Sequence, residues 1–167
     1  MELHLLCDAL WAKAEEQIER AGHLISILPG DRLDWLPPIP GAWPAGVLLG
    51  HLLDCLAGFC AALQAAAPRE LAHFTRLRDL PVNRACSPKE AADRVAVYRD
   101  HIEEGFHQLT DADLSRRLPT IFVPEGELLV TLLLGNLEHL VNHKYQLFIY
   151  LKLMGVPVES RDLYRFR

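Results

Sequence analysis

The feature that most constrains the fold is an apolar segment near the C-terminus, residues 128–154, which carries His139 and His143. Its length and nearly continuous apolarity are typical of a buried helix. On a helix, positions i and i+4 lie on one face, one turn apart, so the two imidazoles can bind one metal ion. We therefore expect both rings to point into the protein interior.

The same segment is long enough to suggest a membrane span. However, Glu138, His139, His143 and Lys144 lie at its middle, where a hydrocarbon environment would penalise them heavily. The segment is therefore predicted to be a core helix of a protein without membrane association.

Three further segments show helical periodicity, and helix-breaking or capping residues bound them. They are residues 3–28, ended by Pro29-Gly30; residues 44–67, ended by Pro68; and residues 87–109, started by Ser87-Pro88-Lys89-Glu90. Together with the C-terminal segment, they predict an all-α fold, a four-helix bundle. The intervening predictions are an extended connection over 29–43, a loop with a short helix over 68–86, a polar loop over 110–127, and an irregular docked tail over 158–167.

The composition limits the classes of protein to consider. A chain of 167 residues, half of them apolar, can form one core, so we predict a single domain over residues 1–167. A net charge of −5 without a basic cluster excludes nucleic-acid binding. With no secretory start and no C-x-x-C pair among the four cysteines, we expect a cytoplasmic protein with reduced, buried thiols.

His51 supplies a third candidate metal ligand, because it falls on the core-facing stripe of the second helix. If that helix neighbours the fourth, His51, His139 and His143 form a metal site with a position left open, as catalytic sites have. Such an ion would acidify a bound water or thiol and act as a Lewis acid. Neutral imidazole suits zinc, nickel, copper and iron, and we expect one divalent transition metal per chain, zinc, nickel or iron.

Three other polar residues lie close to these histidines in the sequence pattern: Cys55, Asn136 and Gln146. Asn136 and Gln146 share the ligand stripe and either orient a ring or a bound water, or simply pack or face solvent. Cys55 is either a soft ligand or, as we expect, a buried thiol. The remaining histidines have no partner at ligand spacing and are predicted to be surface or boundary residues: His4, His23, His73, His101 and His107.

Two motifs resemble those of the DinB-like superfamily. They are W-x7-H-L, at Trp43 and His51, and H-x3-H-x2-Q-L, at His139, His143, Gln146 and Leu147. The resemblance covers nearly the whole chain and implies a four-helix bundle of the DinB-like type, often a homodimer, with His51, His139 and His143 as the metal ligands. Pro44 departs from the family pattern, in which a small polar helix cap often follows the Trp.

The resemblance also implies a range of functions. The family includes thiol S-transferases that use bacillithiol, mycothiol or glutathione, and a mycothiol-dependent isomerase. It therefore implies a metal-dependent S-transferase or hydrolase, in which the metal activates a low-molecular-weight thiol or water against a small-molecule substrate. The alternative is a non-catalytic metal- or ligand-binding bundle in a stress response.

Overall fold

The computed structural model describes residues 4–78, 86–121 and 123–165. Its helices, in chain order, are α1 (Leu5–Ser26), α2 (Ala45–Ala66), α3 (Phe74–Arg78), α4 (Pro88–His107), α5 (Leu129–Leu153) and α6 (Ser160–Leu163). Two short strands, β1 (Arg117–Leu118) and β2 (Glu127–Leu128), form an antiparallel ribbon. The four long helices match the four predicted segments, which confirms the all-α prediction.

The long helices pack as a bundle in which α1 and α2 each contact both α4 and α5. Consequently α1 and α2 lie diagonally across the bundle, although they are consecutive long helices in the sequence. Residue pairs between α2 and α5 run in opposite directions, since His51 lies beside His143 while Gly58 lies beside Asn136. The two helices are therefore antiparallel, and this pairing positions the candidate site.

Helix α2 is the most apolar element of the bundle. By length and composition it would also be long and apolar enough to cross a membrane, a test that core helices of soluble proteins often pass. It packs between α4 and α5, and it buries leucines along most of its length: Leu48, Leu49, Leu52, Leu53, Leu56 and Leu63. Packing inside the bundle accounts for its apolarity.

The start of α2 explains why a small polar cap is dispensable after Trp43. Pro44 occupies the cap position with extended backbone, and Ala45 is the first helical residue. The backbone amides of Ala45 and Gly46 donate to the carbonyl oxygens of Trp35 and Leu33, at 3.0 and 2.7 Å. The preceding connection thus satisfies amides that a helix start otherwise leaves unpaired.

The connections contain more regular structure than the sequence predicted. The 110–127 loop holds a 3₁₀ turn (Asp113–Ser115) and, together with Leu128, the β1–β2 ribbon, whose two-residue strands are too short to produce an alternating pattern. The predicted short helix of the 68–86 segment is α3, while residues 79–85 lie outside the described residues. The C-terminal tail forms α6, and its Asp162 accepts a hydrogen bond from His23 of α1 at 2.8 Å.

Candidate metal centre

The three predicted ligands come together between α2 and α5. One nitrogen from each of His51, His139 and His143 lies within 4.8 Å of the others, and the Nε2 atoms of His51 and His139 are 3.0 Å apart. Two nitrogens on one tetrahedral zinc, each at about 2.0–2.1 Å, would lie roughly 3.3–3.4 Å apart. The arrangement therefore has the dimensions of a metal site, and small side-chain shifts would accommodate an ion.

A close approach between the two helices brings the histidines together. Gly58 of α2 has no side chain, and a Cβ atom at that position would lie 2.8 Å from the Oδ1 atom of Asn136. The side chain of Asn136 thus occupies the space beside Gly58, which favours packing over a role in orienting a ligand. On α5, the i,i+4 spacing presents His139 and His143 on the face toward His51.

The histidines are more exposed than the sequence suggested, and the expectation of interior rings was wrong. The His51 side chain is 28% exposed, His143 is half-buried and His139 is exposed. Because α5 is apolar around much of its circumference, its periodicity did not determine which face meets solvent. The cluster opens outward, so a water molecule or a small ligand can reach it.

A chain of hydrogen bonds fixes the orientation of His143. The Gln146 amide donates to the Tyr150 hydroxyl (3.2 Å), which donates to the backbone carbonyl of Trp43 (3.0 Å). The Gln146 Oε1 atom is then the acceptor for the Nδ1–H of His143, at 2.9 Å. The lone pair of His143 is then on Nε2. This is the tautomer in which Nε2 can bind a metal ion. The structure therefore favours a role for Gln146 in orienting the His143 ring over simple packing or exposure to solvent.

Trp43 forms a wall of the cluster. Its ring stacks on that of His143, with centroids 5.8 Å apart and planes inclined by 21°, and it meets the His51 ring edge-on at 5.0 Å. In the sequence, Trp43 stands out only as part of a motif, and its role as a site residue was not predicted. Its proximity to the site could have been inferred from its position eight residues before His51, because Trp43 directly precedes the helix that carries His51.

The environment favours neutral imidazoles. Partial burial, followed by the proximity of His143 and His139, holds the pKa of His51 below its ordinary value, although Asp54 acts in the opposite direction. Partial burial and the neighbouring His143 likewise lower the pKa of His139. Since the neutral ring is the form that binds metals, the apoprotein already favours the required protonation state.

The cysteines are buried, as predicted. Burial is the main cause that raises the pKa of Cys7, Cys55 and Cys60 to about 12, and it also raises that of Cys86. Cys55, four residues after His51, is therefore a core thiol, and the three-histidine cluster does not include it. A thiolate nucleophile from this set is disfavoured at neutral pH.

A second cluster brings together His73 and His101, which have no histidine partner at ligand spacing in the sequence, and both are half-buried, as predicted for boundary residues. Each offers a nitrogen within 4.8 Å of the other and of a Glu104 oxygen. The periodicity of the sequence gave no hint of His73, which lies in the segment before α3. The i,i+3 spacing of His101 and Glu104 on α4 was the only available indication of this cluster.

The fold and the first cluster define a helical bundle with a solvent-open set of three histidines between two antiparallel helices. The family model of the DinB superfamily matches residues 13–147. The chain belongs to the DinB superfamily, which confirms the resemblance seen in its motifs.

A solved structure agrees with this assignment at the level of the fold. The chain is similar to a DinB-like protein from Bacillus subtilis, YjoA, with a TM-score of 0.68 and 18% sequence identity. The similarity covers 95% of this chain and 96% of that one. A search of curated proteins found no match.

Proposed function

We propose that the chain is a metal-dependent enzyme in which His51, His139 and His143 hold one divalent transition metal. The observation that carries the proposal is the convergence of three imidazoles, two of them with lowered pKa values, at a position open to solvent. When bound there, the ion would supply Lewis acidity and lower the pKa of a water or thiol ligand. Imidazole donors suit zinc, nickel and iron alike, so the donor set does not select one of them.

The surrounding residues preorganise the ligands. Gln146 and Tyr150 hold the ring of His143 in one tautomer, and the Trp43 ring covers one of its faces. Groups that orient a ligand in this way typically contribute about 10–100-fold to metal affinity. The side chain of His139 is exposed, which supports access by a small molecule.

The properties of the cysteines support an external nucleophile. All four are buried with raised pKa values, so none is suited to form a thiolate at the surface. We therefore propose that the nucleophile is a low-molecular-weight thiol or water, and that the substrate is a small electrophile. S-transfer is preferred over hydrolysis by analogy with the family.

We also propose that the protein is a cytoplasmic homodimer. Helix α5 leaves about half of the side chain exposed at Leu134, Tyr145 and Leu153. A second copy packed along α5 would cover these apolar groups. Size-exclusion chromatography with light scattering measures the mass directly, and a monomer at micromolar concentration would contradict this part of the proposal.

The enzymatic proposal is tested by a reaction screen. Metal-loaded protein is incubated with bacillithiol, mycothiol or glutathione and a panel of small electrophiles, and product formation is followed by mass spectrometry. We expect turnover with at least one pair, which chelation and the His51→Ala variant abolish and the surface variant His107→Ala retains. Metal binding without thiol transfer to, or hydrolysis of, any electrophile in the panel would instead support the non-catalytic metal-binding bundle.

A further inference from the structure

A second set of metal-binding side chains lies on the bundle surface away from His51, His139 and His143. His101 and Glu104 are one turn apart on α4, and His73 immediately precedes α3. The side chains of His73 and His101 are 32% and 29% exposed, and that of Glu104 is 48% exposed. The set is thus accessible to an ion in solution while being held by two separate elements.

The three donor atoms form a compact triangle. The Nε2 atom of His73 lies 3.1 Å from Nδ1 of His101 and 3.1 Å from Oε2 of Glu104, and the third side measures 3.8 Å. Ligands on one tetrahedral zinc, at about 2.0–2.2 Å, would be separated by roughly 3.3–3.6 Å. The observed edges span this separation, so one ion would reach all three atoms after small adjustments.

One proton on Nε2 of His73 can make a straight hydrogen bond to only one of the other two donor atoms. A neutral His73 has one proton or one lone pair at Nε2, yet that atom faces both a carboxylate oxygen and a ring nitrogen at the same distance. The contact between Nε2 of His73 and Nδ1 of His101 is a hydrogen bond, so its proton is not directed at the Glu104 oxygen, which lies 3.1 Å from the same Nε2. A cation at the centre would accept electron pairs from all three groups at once.

Buried neighbours in the chain fix the position of His73, and with it the distances among the three donor atoms. Phe74, next in the chain, is 2% exposed, and its ring lies 5.5 Å from that of His101. Leu71, two residues before His73, is fully buried. The segment is therefore anchored on both sides of His73, and an ion would add a crosslink to an arrangement that already exists.

We infer that His73, His101 and Glu104 form a second divalent-cation site of the zinc class, with two nitrogen ligands and one carboxylate ligand and with the remaining coordination open to water. Two histidines and one glutamate are an established zinc-binding combination. The ion would fasten the segment before α3 to α4. This inference is independent of the proposed catalytic role of the first cluster.

The test isolates the second site by removing the first. The parent is the His51→Ala/His139→Ala double variant, stripped of metal and titrated with Zn²⁺ against a chromophoric chelator near neutral pH. We expect the parent to bind one Zn²⁺. Adding His101→Ala or Glu104→Gln should weaken binding by more than the roughly 10–100-fold that loss of an outer-shell partner typically costs.

Matched controls separate coordination from general charge effects. Glu103→Gln removes a carboxylate from the neighbouring position on α4, where it pairs with Arg99 at 3.8 Å, and His107→Ala removes an exposed histidine from the same helix. Both should leave the affinity of the parent unchanged.

Hydrogen exchange on the otherwise wild-type chain gives a second readout that needs no disruption of the first cluster. Zn²⁺ should slow exchange at the backbone amides of residues 71–76, and His101→Ala should abolish that protection. A parent that binds no Zn²⁺, or retention of its affinity after His101→Ala and Glu104→Gln, would overturn the inference and leave a purely hydrogen-bonded cluster.

Discussion

The Nε2 atoms of His51 and His139 lie 3.0 Å apart, although the two residues are separated by 88 positions in the sequence. Two neutral rings can share only one proton at that distance, and two lone pairs would repel each other. A shared cation would satisfy both nitrogens, as well as His143 beside them. The close approach is therefore the relationship on which the proposed metal centre depends.

Gln146 should control metal affinity without binding the metal. Gln146→Leu keeps the approximate side-chain size but removes the acceptor for Nδ1 of His143 and the donor to Tyr150. We expect the dissociation constant for Zn²⁺, measured by chelator competition, to rise by about 10–100-fold.

Tyr150→Phe is the matched control for Gln146→Leu. It removes only the hydroxyl beyond Gln146 and keeps the contact between Gln146 and His143, so its effect should be smaller than that of Gln146→Leu. Equal affinities for Gln146→Leu and the wild type would show that Gln146 is a packing residue.

Lys144 should make stability depend on pH. Its side chain is 2% exposed, and Nζ donates to Oε1 of Gln17 and to the carbonyl of Leu163, both uncharged acceptors. Burial lowers its pKa from 10.5 to about 8. Below about pH 8 the lysine is charged in the folded and in the unfolded chain. Between about pH 8 and 10.5 the unfolded chain binds more protons than the folded one. Stability contributed by this group therefore rises with pH through that window.

Comparison with Lys144→Met isolates this effect. The buried thiols act in the opposite direction above pH 9, since their pKa values are raised on folding, but they are present in both proteins. From about pH 7 to about pH 10, the free energy of unfolding of the wild type should increase by about 2 kcal/mol relative to that of Lys144→Met. A difference independent of pH, in chemical denaturation, would contradict the lowered pKa.

Replacement of two helical glycines by alanine should change the stability of the protein in opposite directions. A Cβ atom at Gly105 of α4 would lie 2.7 Å from Cδ1 and 3.0 Å from Cβ of Leu63, whereas one at Gly135 of α5 would meet no described atom within 4 Å. Overpacking typically costs about 1–3 kcal/mol and would outweigh the roughly 1 kcal/mol gain in helix propensity.

Gly105→Ala should therefore lower, and Gly135→Ala raise, the free energy of unfolding measured in urea. Each protein is the control for the other, because both substitutions add one methyl group within a helix. A stabilised Gly105→Ala protein would show that α2 and α4 are less closely packed than described.

The sequence predicted the helices well, and it predicted that the three histidines converge, because much of both depends on local spacing. The i,i+4 pair His139 and His143 and the capping residues around Ser87 are properties of single helices, and Ser87 Oγ accepts from the Glu90 amide as the cap pattern indicates. His51 joined the set through its position on the stripe of α2 and through the family motif.

Features that depend on distant segments were not predictable from spacing. Lys144 looked like a polar interruption of α5, yet it is buried because Gln17 of α1 and Leu163 of α6 supply acceptors. The His73 and His101 contact arises from the docking of the segment before α3 on the bundle. The exposure of His139 depends on how α5 is rotated within the bundle, which an almost uniformly apolar helix does not reveal.

Metal titration of single-histidine variants tests the central claim most directly. The measurement uses protein carrying His101→Ala, so that the second cluster does not contribute, with Zn²⁺ binding followed by chelator competition. We expect one bound ion per chain, and a loss of affinity of more than about 100-fold when His51, His139 or His143 is replaced by alanine, while His107→Ala has no effect. A His143→Ala protein that still binds one ion with unchanged affinity would contradict the three-histidine metal centre.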